Sequence, residues 1–345
     1  MVGPHFDPAA VLDISGGGKV LVLSDLHMGT GKGDDLAHNR ELILHLLGDY
    51  YLKNGWYLVL NGDIEELQRY SLGAVRENWS LLVKVFDRFA AERRLYKIVG
   101  NHDEDLLFEH GYPYSLYHAI RIETGSIPVY VYHGHQSSKV YTNYNHVLRV
   151  LIRYFLKPFG IRNISSARNV YRRFYVEKKA YAFSLENNCI SIIGHTHRPL
   201  FESLGRFDFI KFEIERLCRD YTTAAGEDRR RIAAEVAALR EDLGKIGRKE
   251  RRHVLRQSLY GDDLPVPCLF NSGSAIDRKG INAIEMDRDH IALVYWFTDG
   301  KEKRFIRRGR YKVTRLGKTE FRRTVLNQDR LDYIGARIEL LGKRG

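Results

Sequence analysis

The sequence has 345 residues, 44% of them hydrophobic, which is enough to bury one large or two smaller cores. Its 55 lysines and arginines exceed its 43 aspartates and glutamates, and the net charge of +12 favours anionic partners such as phosphorylated substrates, nucleic acid or a membrane surface. Three widely spaced cysteines predict no disulfide framework and fit a reducing compartment. The N-terminus lacks the basic and apolar regions of a signal peptide, and no run reaches the ~18 apolar residues of a membrane-spanning helix, so we expect a soluble, cytoplasmic protein.

Five short apolar runs each end abruptly in polar residues, and each predicts a buried strand bounded by a turn. The five runs are Val20–Leu23, Tyr57–Leu60, Tyr96–Val99, Val129–Tyr132 and Ile190–Ile193. Apolar periodicity predicts helices over Asp35–Asn54 and Asn78–Ala91, between the first three strands. This alternation is typical of a layered α/β domain, in which ligands bind beyond the carboxyl ends of the strands. The polar clusters can therefore converge on one site.

A second group of predicted strands lies toward the C-terminal end of the chain. These runs are Pro267–Phe270, Ile281–Met286 and Ile291–Phe297, and we expect them to form a second sheet packed on the first. Two segments interrupt this plan: 146–183 is apolar and basic, and 206–264 is charged and mostly helical. We therefore divide the chain into a lead-in over 1–18, one domain over 19–299 that carries both segments, and a basic extension over 300–345.

The second interrupting segment contains a short heptad stripe. Its apolar residues alternate spacings of four and three, at Ile232, Val236, Leu239, Leu243 and Ile246. Such a stripe can mediate dimerisation, or it can pack inside a helical hairpin of the same chain. We prefer the hairpin, and the oligomeric state stays open.

Seven side chains at the strand ends offer oxygen or nitrogen donors to a metal. They are Asp25, His27, Asp63, Asn101, His133, His195 and His197. This set contains no thiolate and suits Mn²⁺, Fe, Zn²⁺ or Co²⁺ better than soft metals. Side chains alternate along an extended segment, so Asp25 and His27 point the same way, as do His195 and His197. Two cations ~3.5–4 Å apart can grip a phosphate and ionise a bound water, which removes the need for a serine or cysteine nucleophile.

In chain order these residues form the pattern DxH…GD…GNHD…HGH…GHTH, which resembles the calcineurin-like metallophosphoesterase family from about Val20 to about Phe297, apart from the two interrupting segments. The resemblance implies a two-sheet β-sandwich flanked by helices, with segment 146–183 as a helical cap and 206–264 as a helical insertion. It also implies two divalent metal ions, with Mn²⁺ the first candidate.

The resemblance further implies a role for each donor. The first metal would be held by Asp25, His27 and His197, the second by Asn101, His133 and His195, with Asp63 bridging both. His102 would lie beside the phosphate and stabilise charge or protonate the leaving oxygen. Asp103 would orient His102, with Asp25 as the less favoured alternative.

Four further residues are candidates for substrate contacts. His135 either touches phosphate or metal or is a surface histidine. Arg198 either binds an anionic substrate group or is a solvated arginine. Arg149 and Arg153 alternate with apolar residues in the cap, which predicts either a lipid-facing surface with a cationic rim or an ordinary helix packed on the sandwich.

Within the family, the chain is most similar to the UDP-2,3-diacylglucosamine hydrolases, which carry an apolar, basic helical cap. The likeness rests on the stretches 23–29 and 195–199 and on the long segment between HGH and GHTH. It implies a phosphorylated, lipid-linked substrate and peripheral contact with the anionic inner face of a membrane. That branch has GNRD and HGD where this chain has GNHD and HGH, so other phosphodiesters, diphosphates and monoesters stay open as substrates.

Two other functional classes are considered. A nucleic-acid phosphodiesterase would use the net charge of +12 to track a phosphate backbone, but the chain has no nucleic-acid motif beyond its charge. A non-catalytic scaffold would have lost some of the donors. Here every donor position is filled and His102 is present, which argues against a scaffold.

Overall fold

Two β-sheets form the centre of the computed structural model, which describes residues 10–137, 170–204, 206–245, 266–303, 306 and 311–342. The strands are β1 (Val11–Asp13), β2 (Val20–Leu23), β3 (Tyr57–Asn61), β4 (Leu95–Ile98), β5 (Leu116–Tyr117), β6 (Ala119–Glu123), β7 (Val129–Tyr132), β8 (Ile190–Ile193), β9 (Leu269–Asn271), β10 (Ile281–Met286), β11 (His290–Thr298), β12 (Val313–Arg315) and β13 (Phe321–Arg330). The larger sheet has eight strands in the order β12-β13-β11-β10-β2-β3-β4-β5, and the smaller has five in the order β1-β6-β7-β8-β9.

Seven α-helices lie between or after these strands in the described residues. They are α1 (Arg40–His45), which continues as a π-helical stretch over Leu46–Leu52, α2 (Leu72–Asn78), α3 (Ser80–Ala91), α4 (Val170–Glu186), α5 (Arg206–Thr223), α6 (Gly226–Lys245) and α7 (Leu331–Leu341). The helix predicted over Asp35–Asn54 is confirmed as a run of short helical pieces between Ala37 and Leu52. The helix predicted over Asn78–Ala91 is confirmed as α3.

The alternation of side chains in β2 places the sheets in layers. Val20 and Val22 point into a core shared with the smaller sheet, whereas Leu21 and Leu23 point into a core shared with the helices from α1 to α3. On the other side of the smaller sheet, the ring of Phe183 in α4 lies 5.7 Å from the ring of Tyr130. The order is helix, sheet, sheet, helix, which confirms the layered α/β fold predicted from the sequence.

The assignment of strands to sheets differs from the prediction. Strands β10 and β11 do not form a second sheet with β9. Instead, β10 pairs with β2 and extends the larger sheet, and β9 pairs with β8 in the smaller one. The prediction was wrong because an apolar run in the sequence indicates that a strand is buried but not which strand it pairs with. A strand that is buried on both faces has the same pattern in either sheet.

The helical insertion forms a hairpin within the described residues. Ile232 and Leu239 of α6 pack with Phe207, Ile210 and Leu217 of α5. The apolar residues of the heptad stripe, as far as Leu243, therefore pack against the preceding helix of the same chain. This packing confirms the hairpin interpretation. Residues 246–265 lie outside the described residues.

The C-terminal residues complete the larger sheet. Strand β13 pairs along the length of β11, with a register shift between Leu293 and Val294, and β12 pairs with β13. The extension predicted from residue 300 is thus continuous with the sandwich. Of the predicted cap, residues 170–183 belong to α4, whereas Arg149 and Arg153 lie outside the described residues.

Among the helices that the structure describes, none combines the length and the apolar character needed to cross a membrane.

Candidate metal centre

The carboxyl ends of strands from both sheets meet at one edge of the sandwich. Past β2 and β3, the Asp25 amide donates to the Gly62 carbonyl at 3.1 Å, and past β7 and β8 the Gly194 amide donates to the His133 carbonyl at 3.0 Å. The His195 amide then crosses between the sheets, donating to the Asp25 carboxylate oxygens at 3.1 and 3.0 Å. Backbone hydrogen bonds therefore hold the strand ends of the two sheets together.

Asp25, His27 and His197 form a first donor trio, whose candidate ligand atoms lie within 4.8 Å of one another. The Nε2 atom of His197 is 3.0 Å from Asp25 Oδ1 and 3.2 Å from His27 Nε2. His27 Nδ1 lies 3.0 Å from the carboxylate of Glu66, to which it donates when its Nε2 is unprotonated. That tautomer directs the Nε2 lone pair of His27 into the trio.

Asp63, His133 and His195 form a second donor trio with the same spacing of 4.8 Å or less. His133 Nδ1 donates to the Asn61 carbonyl at 2.8 Å, which leaves Nε2 to face Asp63 Oδ2 at 3.1 Å. The atoms His195 Nε2 and Asn101 Oδ1 are buried and make no hydrogen bond within the part of the chain that the structure describes. Buried polar atoms are normally paired, so these unpaired lone pairs fit a bound cation.

Five of the six residues in the two trios have a sparsely populated backbone conformation. The φ angles are positive at Asp25 (54°), His27 (48°), Asp63 (53°), His195 (64°) and His197 (55°). For residues with a Cβ atom, the left-handed region costs roughly 1–2 kcal/mol each. Such strain concentrates at functional sites, where surrounding contacts maintain it. Here it turns each side chain sharply inward at the end of its strand.

Two glycines let the ligand residues of one sheet approach the other. A Cβ atom on Gly62, which has φ +77°, would lie 2.5 Å from the His133 ring. A Cβ atom on Gly194 would lie 2.7 Å from Asp25 Oδ2. Each glycine therefore leaves space for a donor that belongs to the opposite sheet.

The charges of the second trio depend on one another. Burial would raise the pKa of Asp63, but nearby histidines, above all His133, outweigh burial and hold that pKa well below its usual value. Burial opposes protonation of His133, yet the Asp63 carboxylate raises the pKa of His133 to about 9. Burial and the adjacent His133 lower the pKa of His195 to about 3. His195 is therefore neutral, and cation binding at His133 would release a proton.

His102 is oriented by Glu66. Its Nδ1 atom lies 2.9 Å from each oxygen of the Glu66 carboxylate. Burial opposes protonation of His102, but the carboxylates of Asp63 and Glu66 raise its pKa to about 9. His102 is therefore a cation at neutral pH, with Nδ1 engaged and Nε2 left for a substrate oxygen.

Asp103 has a different set of partners from the one predicted. Its Oδ1 accepts from the Gly100 amide at 2.6 Å, and its Oδ2 accepts from the Ile64 amide at 2.8 Å and from Lys97 at 3.2 Å. The carboxylate is fully buried beneath the loop that carries His102. The interpretation in which Asp103 orients His102 is therefore wrong, because its lone pairs are used by the backbone and by Lys97.

Glu66 is the functional residue that the sequence reasoning missed. It lies three residues after Asp63, in a stretch that also contains Glu65. The short spacing from Asp63 was the sequence signal that could have identified a glutamate near the site. It does not show which of the two glutamates faces the site. In the structure, Glu65 pairs with Lys97 at 2.6 Å instead. Asp25 was the other candidate for orienting His102. Its carboxylate instead lies 3.0 Å from Nε2 of His197, a member of its own trio.

Two of the four candidates for substrate contacts lie among the described residues. Arg198 donates through Nε to Glu177 at 3.1 Å and through Nη2 to the other carboxylate oxygen, so its guanidinium is engaged inside the protein rather than simply solvated. His135 is buried, with its ring centre 5.5 Å from that of His133 and 6.3 Å from that of His195. The alternative that His135 is a surface histidine is therefore wrong.

The layered sandwich and the cluster of oxygen and nitrogen donors at its strand ends define a class of phosphoester hydrolases. A family model of the calcineurin-like phosphoesterases matches residues 18–224, more than half of the chain, and the chain therefore belongs to this family. It is accordingly a hydrolase that acts on phosphoric esters. The match spans all seven candidate donors.

Two solved structures show a weak overall similarity. The phosphoesterase Yfce from E. coli is 14% identical, with 79% of this chain and 91% of that chain covered and a TM-score of 0.33. Vacuolar Protein Sorting 29 from Cryptosporidium parvum is 11% identical, with 83% and 94% covered and a TM-score of 0.35. Neither similarity is strong enough to support a conclusion about this chain. A search of the curated proteins gives no match.

Proposed function

We propose that this protein is a dinuclear metallophosphoesterase. The first donor trio would hold one divalent cation, and the second trio, which includes Asp63, would hold another together with Asn101. The observation that carries this proposal is that two buried donor atoms of the second site, Asn101 Oδ1 and His195 Nε2, make no hydrogen bond within the described residues. Oxygen and imidazole donors without thiolate favour Mn²⁺, with Fe, Zn²⁺ and Co²⁺ as alternatives.

The residues around the two trios support hydrolysis by attack of water on phosphorus. When bound, the cations would supply Lewis-acid activation of the phosphate and of water. His102, held through Nδ1 by Glu66, donates a proton from Nε2 to the leaving oxygen. Its raised pKa, about 9, keeps that proton available at neutral pH.

For the substrate, we propose a phosphodiester or diphosphate that links a nucleotide to a lipid. Support comes from the sequence likeness to the UDP-2,3-diacylglucosamine hydrolases over the stretches 23–29 and 195–199, and from the net charge of +12, which favours an anionic substrate. Peripheral contact with an anionic membrane would follow from a lipid-linked substrate.

The purified chain, supplied with Mn²⁺, can be screened against bis-(p-nitrophenyl) phosphate, UDP-diacylglucosamine, nucleotides and polynucleotides. We expect activity that a chelator removes and that Asp63→Ala or His195→Ala lowers by roughly 1,000-fold or more on the aryl ester, because each removes a ligand. His290→Ala is the matched control and should keep full activity, because His290 begins strand β11 with a partly exposed side chain and belongs to neither donor trio.

The screen separates the possible outcomes. Release of UMP from UDP-diacylglucosamine, with little product from the other compounds, would support the proposed substrate. Preferential cleavage of polynucleotides that weakens steeply with salt would replace that substrate with nucleic acid. Parent-like activity of both ligand variants would refute the dinuclear centre.

A further inference from the structure

Helix α4 contacts the turn that carries two of the candidate ligands. Thr196 lies between His195 and His197, and its hydroxyl donates to Glu177 Oε1 at 2.9 Å. The same hydroxyl accepts from Asn271 Nδ2, also at 2.9 Å. Glu177 and Thr196 are completely buried. A hydroxyl held from two sides in this way has a single orientation, which restrains the turn between the two histidines.

Glu177 also binds the residue on the other side of His197. Arg198 donates through Nε to Glu177 Oε1 at 3.1 Å and through Nη2 to Oε2. One carboxylate therefore grips both Thr196 and Arg198, the chain neighbours of His197. Its charge is compensated by the paired guanidinium, which makes complete burial of the carboxylate tolerable.

The turn needs such a restraint because its backbone is strained. His195 and His197 both have positive φ angles, of 64° and 55°, which residues with a Cβ atom rarely adopt. Without partners for Thr196 and Arg198, the turn would relax toward ordinary backbone angles. Both imidazoles would then rotate away from Asp25 and Asp63. The strain is thus local to the metal centre, whereas Glu177 and Asn271, which hold Thr196, lie outside the donor trios.

We propose that Glu177 is a positioning residue for the metal centre: it holds the His195–His197 turn in its left-handed form and thereby presents both imidazoles to the cations. It acts through Thr196 and Arg198 and touches neither cation nor substrate. The inference rests on the proposed dinuclear function. A purely structural ion pair between α4 and the smaller sheet would stabilise the fold without affecting the affinity for metal.

The test compares Mn²⁺ binding by the full-length, chelator-treated parent and its variants, with free Mn²⁺ measured by electron paramagnetic resonance. Thr196→Val removes the hydroxyl at nearly constant shape, and Glu177→Gln removes the charge. We expect each to weaken Mn²⁺ binding at least tenfold, the range typical of outer contacts in metal sites. Thr196→Ser, which restores the hydroxyl, should bind within twofold of the parent.

The matched control is Glu202→Gln, since Glu202 forms an ion pair with Arg337 at 2.8 Å and that pair contains no candidate ligand. This variant should bind Mn²⁺ like the parent. The double variant Glu177→Gln/Thr196→Val should weaken binding by less than the product of the two single effects, because both changes act on the contact between Glu177 and Thr196.

Thermal unfolding of each variant shows whether the substitution has disturbed the fold. If Glu177→Gln does not fold, the comparison of Thr196→Val with Thr196→Ser decides, because neither alters charge. Folded variants that bind Mn²⁺ as tightly as the parent would overturn the positioning role while leaving the dinuclear centre intact. A parent that binds no Mn²⁺ would reject the centre itself and this role with it.

Discussion

The carboxylate of Glu66 lies 2.9 Å from Nδ1 of His102 through each of its oxygens. The same carboxylate is 3.0 Å from Nδ1 of His27. One buried side chain therefore orients both a candidate metal ligand and the candidate acid. We expect substitutions at Glu66 to affect turnover and its dependence on pH together.

Glu66→Gln keeps an oxygen acceptor but removes the charge that favours the imidazolium form of His102. The carboxylates of Asp63 and Glu66 raise the pKa of His102 to about 9 in the parent, so the loss of the Glu66 charge should lower that pKa. An acid must be protonated to act, so activity should disappear at lower pH in the variant than in the parent. We expect kcat to fall roughly 10- to 100-fold near pH 8. The measurement is kcat against pH, with the exposed Glu77→Gln as control; an alkaline limb at the same pH in Glu66→Gln would contradict this role.

Gly62→Ala should damage the centre through steric overlap. The added Cβ would lie 2.5 Å from the His133 ring, at a residue with φ +77°. Overpacking and left-handed strain together should lower the free energy of unfolding by roughly 2–4 kcal/mol and abolish tight Mn²⁺ binding. Gly73→Ala is the control, because nothing lies within 4 Å of its Cβ position in α2. It should raise stability by about 0.5–1 kcal/mol. Chemical denaturation measures the free energy of unfolding of both variants. Equal stability of Gly62→Ala and Gly73→Ala would rule out the predicted overlap.

Lys97 is a completely buried cation beneath the loops that carry the ligands. It pairs with Glu65 at 2.6 Å and with Asp103 at 3.2 Å. Lys97→Met should cost roughly 3–5 kcal/mol of unfolding free energy, because it leaves two buried carboxylates without their cation. The double variant Lys97→Met/Glu65→Gln should recover part of that loss, because it removes one of the two uncompensated charges. Urea unfolding measures the difference, and a double variant less stable than Lys97→Met would show that the burial of charge is not the cause.

The raised pKa of Glu202, a residue away from the metal centre, predicts that the stability of the folded protein depends on pH. Burial and the neighbouring Asp329 raise the pKa of Glu202 from 4.5 to about 7. The folded state thus holds a proton that the unfolded chain has lost between about pH 4.5 and pH 7, so stability falls as pH rises through that window and then levels off. Glu202→Gln does not titrate there, and its stability should decline less between pH 5 and pH 7. Parallel denaturation curves for parent and variant across these pH values would contradict the shift.

Local sequence pattern was sufficient for much of the fold. Runs such as Val20–Leu23 and Ile190–Ile193 are strands with the predicted bounds, because a short apolar segment that stops at polar residues reports burial and chain reversal directly. The donors could be named for a related reason. Only a few side-chain types can bind a cation, and those types lie where the strands end.

The partners of the side chains were not predictable in the same way. Nothing near Asp103 in the sequence shows that Lys97 is its partner, or that Glu66 rather than Asp103 faces His102. Adjacent carboxylates such as Glu65 and Glu66 have the same local pattern. Their directions depend on how the loops pack, and a shift of one residue reverses which of them faces the site.

The sequence by itself determined the chemical kinds of the donors, the strands that deliver them and the membership of a phosphoesterase family. Only the tertiary structure decided which sheet each strand joins. It also decided which group each carboxylate contacts: Asp25 contacts the His195 amide, Glu66 contacts His102, and Glu177 contacts Thr196. The physical reason is that burial and periodicity are properties of a segment, whereas a hydrogen bond between Asp25 and His195 spans 170 residues. It exists only because two sheets pack with their strand ends together.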